Sequence, residues 1–112
     1  MTERETKTDS QLFWIKSNIE ALDALKSAHV DMVNIGNNHM MDYGEKGLLD
    51  TIEALEAKEM AFIGAGRSDD EAYKAEVVDI NGQKVAFLSF TPFFSRLQLG
   101  GTARTSRCNK WI

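Results

Sequence analysis

Apolar residues in the first quarter of the chain recur at the spacing of one helical face. Leu12, Ile15, Ile19, Leu22 and Leu25 stand three or four apart behind Asp9 or Ser10, either of which can cap a helix. The pattern predicts a helix running to about Ala28. Met32-Val33-Asn34-Ile35 is then a short apolar run of the kind a buried parallel strand supplies. Residues 36–44 are rich in Gly, Asn and Asp and read as a loop. From about Glu45 a second helix is expected, with Leu48, Leu49, Ile52 and Leu55 inward. Glu45 and Asp50 lie towards its positive end and Lys58 near its negative end. Ala61-Phe62-Ile63 predicts a second strand, stopped by Gly64-Ala65-Gly66, and residues 69–75 a short helix. Residues 76–80 and 83–90 flank Asn81-Gly82, a dipeptide that tolerates the positive φ angles of a two-residue hairpin turn. Pro92 marks the end of that hairpin.

The predicted order is helix-strand-helix-strand-short helix-β-hairpin. Such alternation argues for an α/β layered fold with at least one parallel strand pair. Two central strands and a hairpin make a thin sheet, whose exposed edges leave room for self-association or for more chain to cover them. The chain has 112 residues, 43% of them hydrophobic and 27% charged, which suits one small core. The net charge of −4 argues against a nucleic-acid partner. A single cysteine, Cys108, excludes an internal disulfide. No apolar run is long enough to span a bilayer, and the polar, charged start is not a secretory signal, so the compartment stays open. The charge is uneven. Residues 93–112 carry Arg96, Arg104, Arg107 and Lys110 and no acid, leaving 9 basic and all 17 acidic residues, a net of −8, in the rest. A basic tail of this kind suits a polyanion or a membrane surface, or is simply a loose terminus.

The chemistry concentrates in Asn37-Asn38-His39-Met40-Met41-Asp42-Tyr43-Gly44. A loop that leaves the C-terminal end of a parallel strand and leads into a helix is where α/β folds place ligands. The carboxamide oxygen of Asn38 is a neutral, hard ligand able to join a metal shell. His39 beside it can serve as general acid, as partner to a phosphate oxygen, or as ligand. Asp42 is near enough to accept from the imidazole and orient it. The same residue types also favour turns for local reasons, and Asp42 equally suits a cap for the following helix. His29, at the end of the first helix, takes no catalytic role there. Gly64-Ala65-Gly66-Arg67-Ser68 reads as a tight turn or as an anion cradle of backbone N–H groups, and Arg67 is a further candidate to face a substrate anion. The cluster of Phe87, Phe90, Phe93 and Phe94 reads as core or as an exposed strand end rather than a stacking platform for bases.

The run from Val30 through Asn37-Asn38-His39, Asp42, Tyr43-Gly44 to Leu48 resembles the central block of the capsule synthesis CapA family, associated with bacterial poly-γ-glutamate capsule production. Phe62-Ile63-Gly64-Ala65-Gly66-Arg67 and Gly82-Gln83-Lys84-Val85-Ala86-Phe87-Leu88 resemble it too, in order, so the likeness covers roughly residues 18–90. The CapA family is similar to the calcineurin-like metallophosphoesterases. The resemblance therefore implies Asn38 as a metal ligand, His39 as the phosphate-facing acid and Asp42 as its orienting partner. It implies a divalent metal (Mn, Mg, Zn or Fe) in intact relatives, a phosphate- or amide-linked polymer precursor as substrate, and a bacterial envelope or cytoplasmic setting. The chain departs from the pattern in carrying no upstream Asp-x-His and Gly-Asp block and no His beyond His39. A two-metal site needs several ligands from separate loops. The expectation is thus a fragment of a layered metallophosphoesterase-like fold. Residues 1–9 would be a polar extension, 10–92 a partial domain and 93–112 a basic tail of unclear origin. The alternatives are a 5′-nucleotidase-like hydrolase completed by a partner chain, or a non-catalytic interaction module.

Overall fold

The computed structural model describes residues 1–3, 16–91 and 107–108. Helix α1 (Ala21–Ser27) leads to strand β1 (Met32–Asn34), and helix α2 (Gly44–Ala57) carries the chain back to strand β2 (Ala61–Ile63). β1 and β2 pair in parallel, Met32 opposite Ala61, Val33 opposite Phe62 and Asn34 opposite Ile63. α2 is the crossover that a parallel pair requires. Of the four residues predicted inward on α2, Leu48, Ile52 and Leu55 are inaccessible to solvent or nearly so, whereas Leu49 is only half-buried and lies outside the core cluster. With Leu22, Ile35, Ala54, Met60 and Ala65 they form the core, against which Ile19, Leu25, Val33, Met40, Met41 and Phe62 pack. Each fully buried leucine or isoleucine contributes about 1.5–3 kcal/mol by leaving water, so this unit is where the described chain is most firmly held.

The first helix is shorter than its apolar spacing predicts. Residues 4–15 lie outside the described part, and 16–18 are not helical. Ser17 and Asn18 compete for backbone hydrogen bonds and disfavour a helix interior, and the Asn18 carbonyl accepts from Ala21 N–H at the turn that opens α1. The predicted face survives within the helix, with Leu22 buried and Ile19 and Leu25 half-buried around it. Both helices close alike. Val30 N–H donates to the Leu25 carbonyl and Met60 N–H to that of Leu55, around His29 (φ 58°) and Glu59 (φ 51°). This is the Schellman pattern, in which the left-handed residue is commonly Gly.

Gly64-Ala65-Gly66 does more than end β2. Gly64 turns the chain with φ 95°, and strand β3 (Ala65–Gly66) pairs antiparallel with strand β6 (Arg107–Cys108), a pairing absent from the sequence reading. Helix α3 (Asp69–Ala72) follows, capped by the Ser68 hydroxyl, which accepts from Glu71 N–H. The predicted hairpin is present as strands β4 (Glu76–Ile80) and β5 (Gln83–Phe87), with Ile80 opposite Gln83. Asn81 and Gly82 take φ 53° and 82°, as a type I′ turn needs. The Asp79 carboxylate accepts from Gly82 N–H. The β5 strand ends at Phe87, short of the predicted 90, and Ser89 just beyond it is buried. The architecture is α/β, with three two-stranded sheets among the described residues. No helix among them is long and apolar enough to cross a membrane.

Candidate functional site

At the C-terminal end of β1 the chain makes consecutive turns. Asn37 N–H donates to the Ile35 carbonyl, and the Asn37 side-chain oxygen accepts from His39 N–H at 2.9 Å. Met40 N–H donates to the Asn37 carbonyl, Asp42 N–H to His39 and Gly44 N–H to Met41. Met40 and Met41 rest against the core. The apolar middle of the loop thus anchors it and leaves Asn38 exposed and His39 half-buried.

The structure brings two of the expected residues together. His39 Nδ1 lies 2.9 Å from Asp42 Oδ2, with the Asp42 side chain fully buried and that of His39 35% exposed. Burying a carboxylate is costly unless a donor meets it. A carboxylate only accepts, so the imidazole donates from Nδ1, and Nε2 is the nitrogen left to exchange a proton with a ligand. Asp42 is turned to His39, while the N-cap position of α2 is held by Tyr43, whose side chain makes no cap bond. Asn38 lies beside this pair in the same turn.

Arg67 is placed elsewhere. Its guanidinium forks onto Glu56 at 2.7 and 2.6 Å, and its backbone N–H donates to Glu71 at 2.8 Å. Glu56 is in the last turn of α2, so this fork lies roughly 18 Å along the helix axis from the turn at Gly44. The paired guanidinium holds the Glu56 carboxyl below the usual carboxylate range, chiefly through the hydrogen bond, and Glu56 in turn raises Arg67. A cavity of about 300 Å³ opens at this far end, lined by Glu56, Met60, Phe62, Glu71, Lys74 and Glu76 among others. None of Asn38, His39, Asp42 and Arg67 lines it. Among the described residues no three His, Cys, Asp or Glu side chains gather as a metal would need. Asn38 and His39 alone do not make up a two-cation centre.

Sequence reasoning passed over the residues that set the loop's starting point. Ser89, buried just past β5, donates to the Asn34 side-chain oxygen at 2.6 Å, and the same oxygen accepts from Gly36 N–H at 2.9 Å. Gly36 and Gly64 meet there at the ends of β1 and β2. A Cβ on Gly36 would lie 2.6 Å from Ser89 Oγ and 2.8 Å from the Gly64 carbonyl, and one on Gly64 would lie 2.5 Å from Gly36 N. The signal available in the sequence was a glycine just past each parallel strand, a pattern that permits close backbone approach.

Comparison with known proteins agrees with the family resemblance. The family model for bacterial capsule synthesis protein PGA_cap matches residues 1–110, a span wider than the resembling stretch 18–90. The chain is 39% identical over 75 residues to the capsule biosynthesis protein CapA of Bacillus anthracis, covering 67% of this chain and 18% of that protein. It is 35% identical over 78 residues to the PGA biosynthesis protein CapA of Bacillus subtilis strain 168, covering 69% of this chain and 20% of the relative. A probable polyglutamine synthesis accessory protein of Mycobacterium tuberculosis is 30% identical over 96 residues, 85% of this chain and 24% of its own length. The chain thus spans about a fifth to a quarter of these relatives. With the family model matching residues 1–110 of the chain, the chain belongs to the bacterial capsule synthesis protein family PGA_cap.

Proposed function

We propose that this chain supplies the Asn38, His39 and Asp42 part of a metal-dependent phosphoesterase-type site acting in capsule or poly-γ-glutamate biosynthesis. The observation that supports the reading most directly is the 2.9 Å contact between His39 Nδ1 and the buried Asp42 carboxylate, at the loop where an α/β fold places ligands. Asp42 fixes the proton on Nδ1 and steadies the imidazolium. His39 then gives or takes one proton at Nε2, facing a phosphate-like oxygen of a polymer precursor. Asn38 would offer a neutral oxygen to a divalent metal, which the described residues alone do not suffice to hold.

The test is a chimera in which residues 1–110 replace the matching segment of the Bacillus subtilis relative, read by polymer output. Output is expected to persist, to be lost in His39→Ala and to fall about 10- to 100-fold in Asp42→Asn. Normal output from the His39→Ala chimera overturns the reading. The 112-residue chain alone is expected to turn over little or no p-nitrophenyl phosphate with Mn²⁺. Turnover that vanishes in His39→Ala would show that the chain holds a complete site.

A second reading is supported by the hairpin. Val77 on β4 is 56% exposed, and Leu88 and Phe90, just past the end of β5, are 53% and 49% exposed. Such a hairpin is marginal until another strand or layer covers it. In this reading the site is completed by further polypeptide of the same family type or by self-association. Light scattering that finds a strict monomer, together with no uptake of Mn²⁺, counts against it.

A further inference from the structure

We infer that Ser89 and Asn34 are positioning residues for the His39–Asp42 pair, an inference that rests on reading that pair as the working part of the site. Hydrogen bonds linked by short stretches of backbone join them. The Ser89 hydroxyl donates to the Asn34 side-chain oxygen at 2.6 Å, and that oxygen also accepts from Gly36 N–H at 2.9 Å, where the loop begins. Asn37 N–H donates to the Ile35 carbonyl, the Asn37 side-chain oxygen accepts from His39 N–H at 2.9 Å, and His39 Nδ1 reaches Asp42 at 2.9 Å. Ser89 is 55 residues from Asn34 in sequence and arrives from the end of the hairpin. Its hydroxyl fills the space that a Cβ at Gly36 or Gly64 would occupy, at 2.6 and 2.7 Å. The two glycines let the strand ends close to backbone contact, and the single hydroxyl between them sets where the loop departs. A tight α/β strand end needs small residues for this approach; it does not need a hydroxyl shared with an Asn that already accepts from the loop. That extra bond fixes the azimuth of the loop, and through Asn37 the orientation of the imidazole. The hairpin is thereby coupled to the site without contributing a group to the chemistry.

The test reads the imidazole itself in the full 112-residue chain. In ¹⁵N-labelled protein at neutral pH, His39 is expected to show the Nδ1-protonated tautomer with an Nδ1–H that exchanges slowly with water. Ser89→Ala should speed that exchange about 3- to 10-fold, the range one neutral hydrogen bond controls, and should mix the tautomers. Asn34→Leu should do the same. Asn34→Asp keeps the accepting oxygen and should hold the wild-type signature within about twofold. Ile52→Val, a destabilising change in the core, should leave it unmoved. A wild-type His39 signature in a folded Ser89→Ala chain overturns the inference, and so does an equal shift in Ile52→Val. If Ser89→Ala does not fold, the two Asn34 variants decide: equal signatures in Asn34→Leu and Asn34→Asp overturn it. Polymer output from the His39→Ala chimera tests the functional reading separately, because the imidazole signature is read whether or not the site turns over substrate.

Discussion

In the unit built from α1, β1, α2 and β2, the left-handed positions that close the helices hold His29 and Glu59. In the β4–β5 hairpin the corresponding turn positions hold Asn81 and Gly82. The hairpin turn therefore has the residues its backbone asks for, whereas the two helix closures do not. Burial is distributed the other way. Every residue of the core cluster lies between Leu22 and Ala65, and none comes from β4 or β5. One region is held by packing that overrides poor local chemistry. The other is specified by good local chemistry with little packing behind it. Local legibility and tertiary stability are thus separate quantities in this chain, and the loop that carries His39 sits in the packed region.

The sharpest way to break this contrast is to cut the same kind of group from each region. Leu48→Ala empties a fully buried site and is expected to cost about 2–5 kcal/mol in urea unfolding. Val77→Ala, at a position more than half exposed, is expected to stay within about 0.5 kcal/mol. A Val77 loss comparable to that of Leu48 would mean that the hairpin face is covered in solution, and would favour the reading in which further polypeptide completes the sheet.

Next in size is Gly64→Ala. It adds a Cβ 2.5 Å from Gly36 N at φ 95°, so it combines a clash with backbone strain. A loss of about 3 kcal/mol is expected. Gly82→Ala, where an added Cβ meets nothing within 4 Å, should cost only the roughly 1 kcal/mol of a left-handed non-glycine residue. Equal losses at the two glycines would deny that the strand ends approach as closely as described.

The same difference between regions governs what the sequence disclosed. The hairpin, the inner face of α2 and both parallel strands rest on periodicity and turn residues within a few positions of one another, so they were legible. The His39–Asp42 pair was legible too, because its members stand three positions apart. The start of α1 was misjudged because apolar spacing continued through Ser17 and Asn18, where backbone competition ends the helix. The β3–β6 pairing and the Asn34–Ser89 bond join residues some 40 and 55 apart, and nothing local announces either. Arg67 was singled out for its charge, but its partner Glu56 lies on a different element.

The helix closures offer a gain rather than a loss. Glu59→Gly and His29→Gly relieve a left-handed side chain and are each expected to raise stability by about 0.5–1 kcal/mol. The change at Asn81, already tolerant of that conformation, should be smaller. If neither helix-end substitution stabilises, the side chains of His29 and Glu59 hold contacts worth as much as the strain.

The smallest effect belongs to the Arg67–Glu56 fork that ties β3 to the end of α2. Both side chains are well exposed, 38% and 50%, so water and salt screen the pair, and Glu56→Gln is expected to cost no more than about 0.5 kcal/mol at neutral pH. Its direction with pH follows from the Glu56 carboxyl being held low by Arg67. The unfolded chain binds a proton at the ordinary carboxylate range and the folded chain only below it. The contribution is therefore complete above that range and disappears as pH falls through the lower folded value. Arg67, raised by the same contact, adds nothing to the pH dependence in the working range because it stays charged in both states. The gap between wild type and Glu56→Gln should thus close on acidification and in high salt. A gap of constant size from neutral to acid would assign the cost to lost packing at the helix end, and would place this corner with the core instead of with the exposed surface.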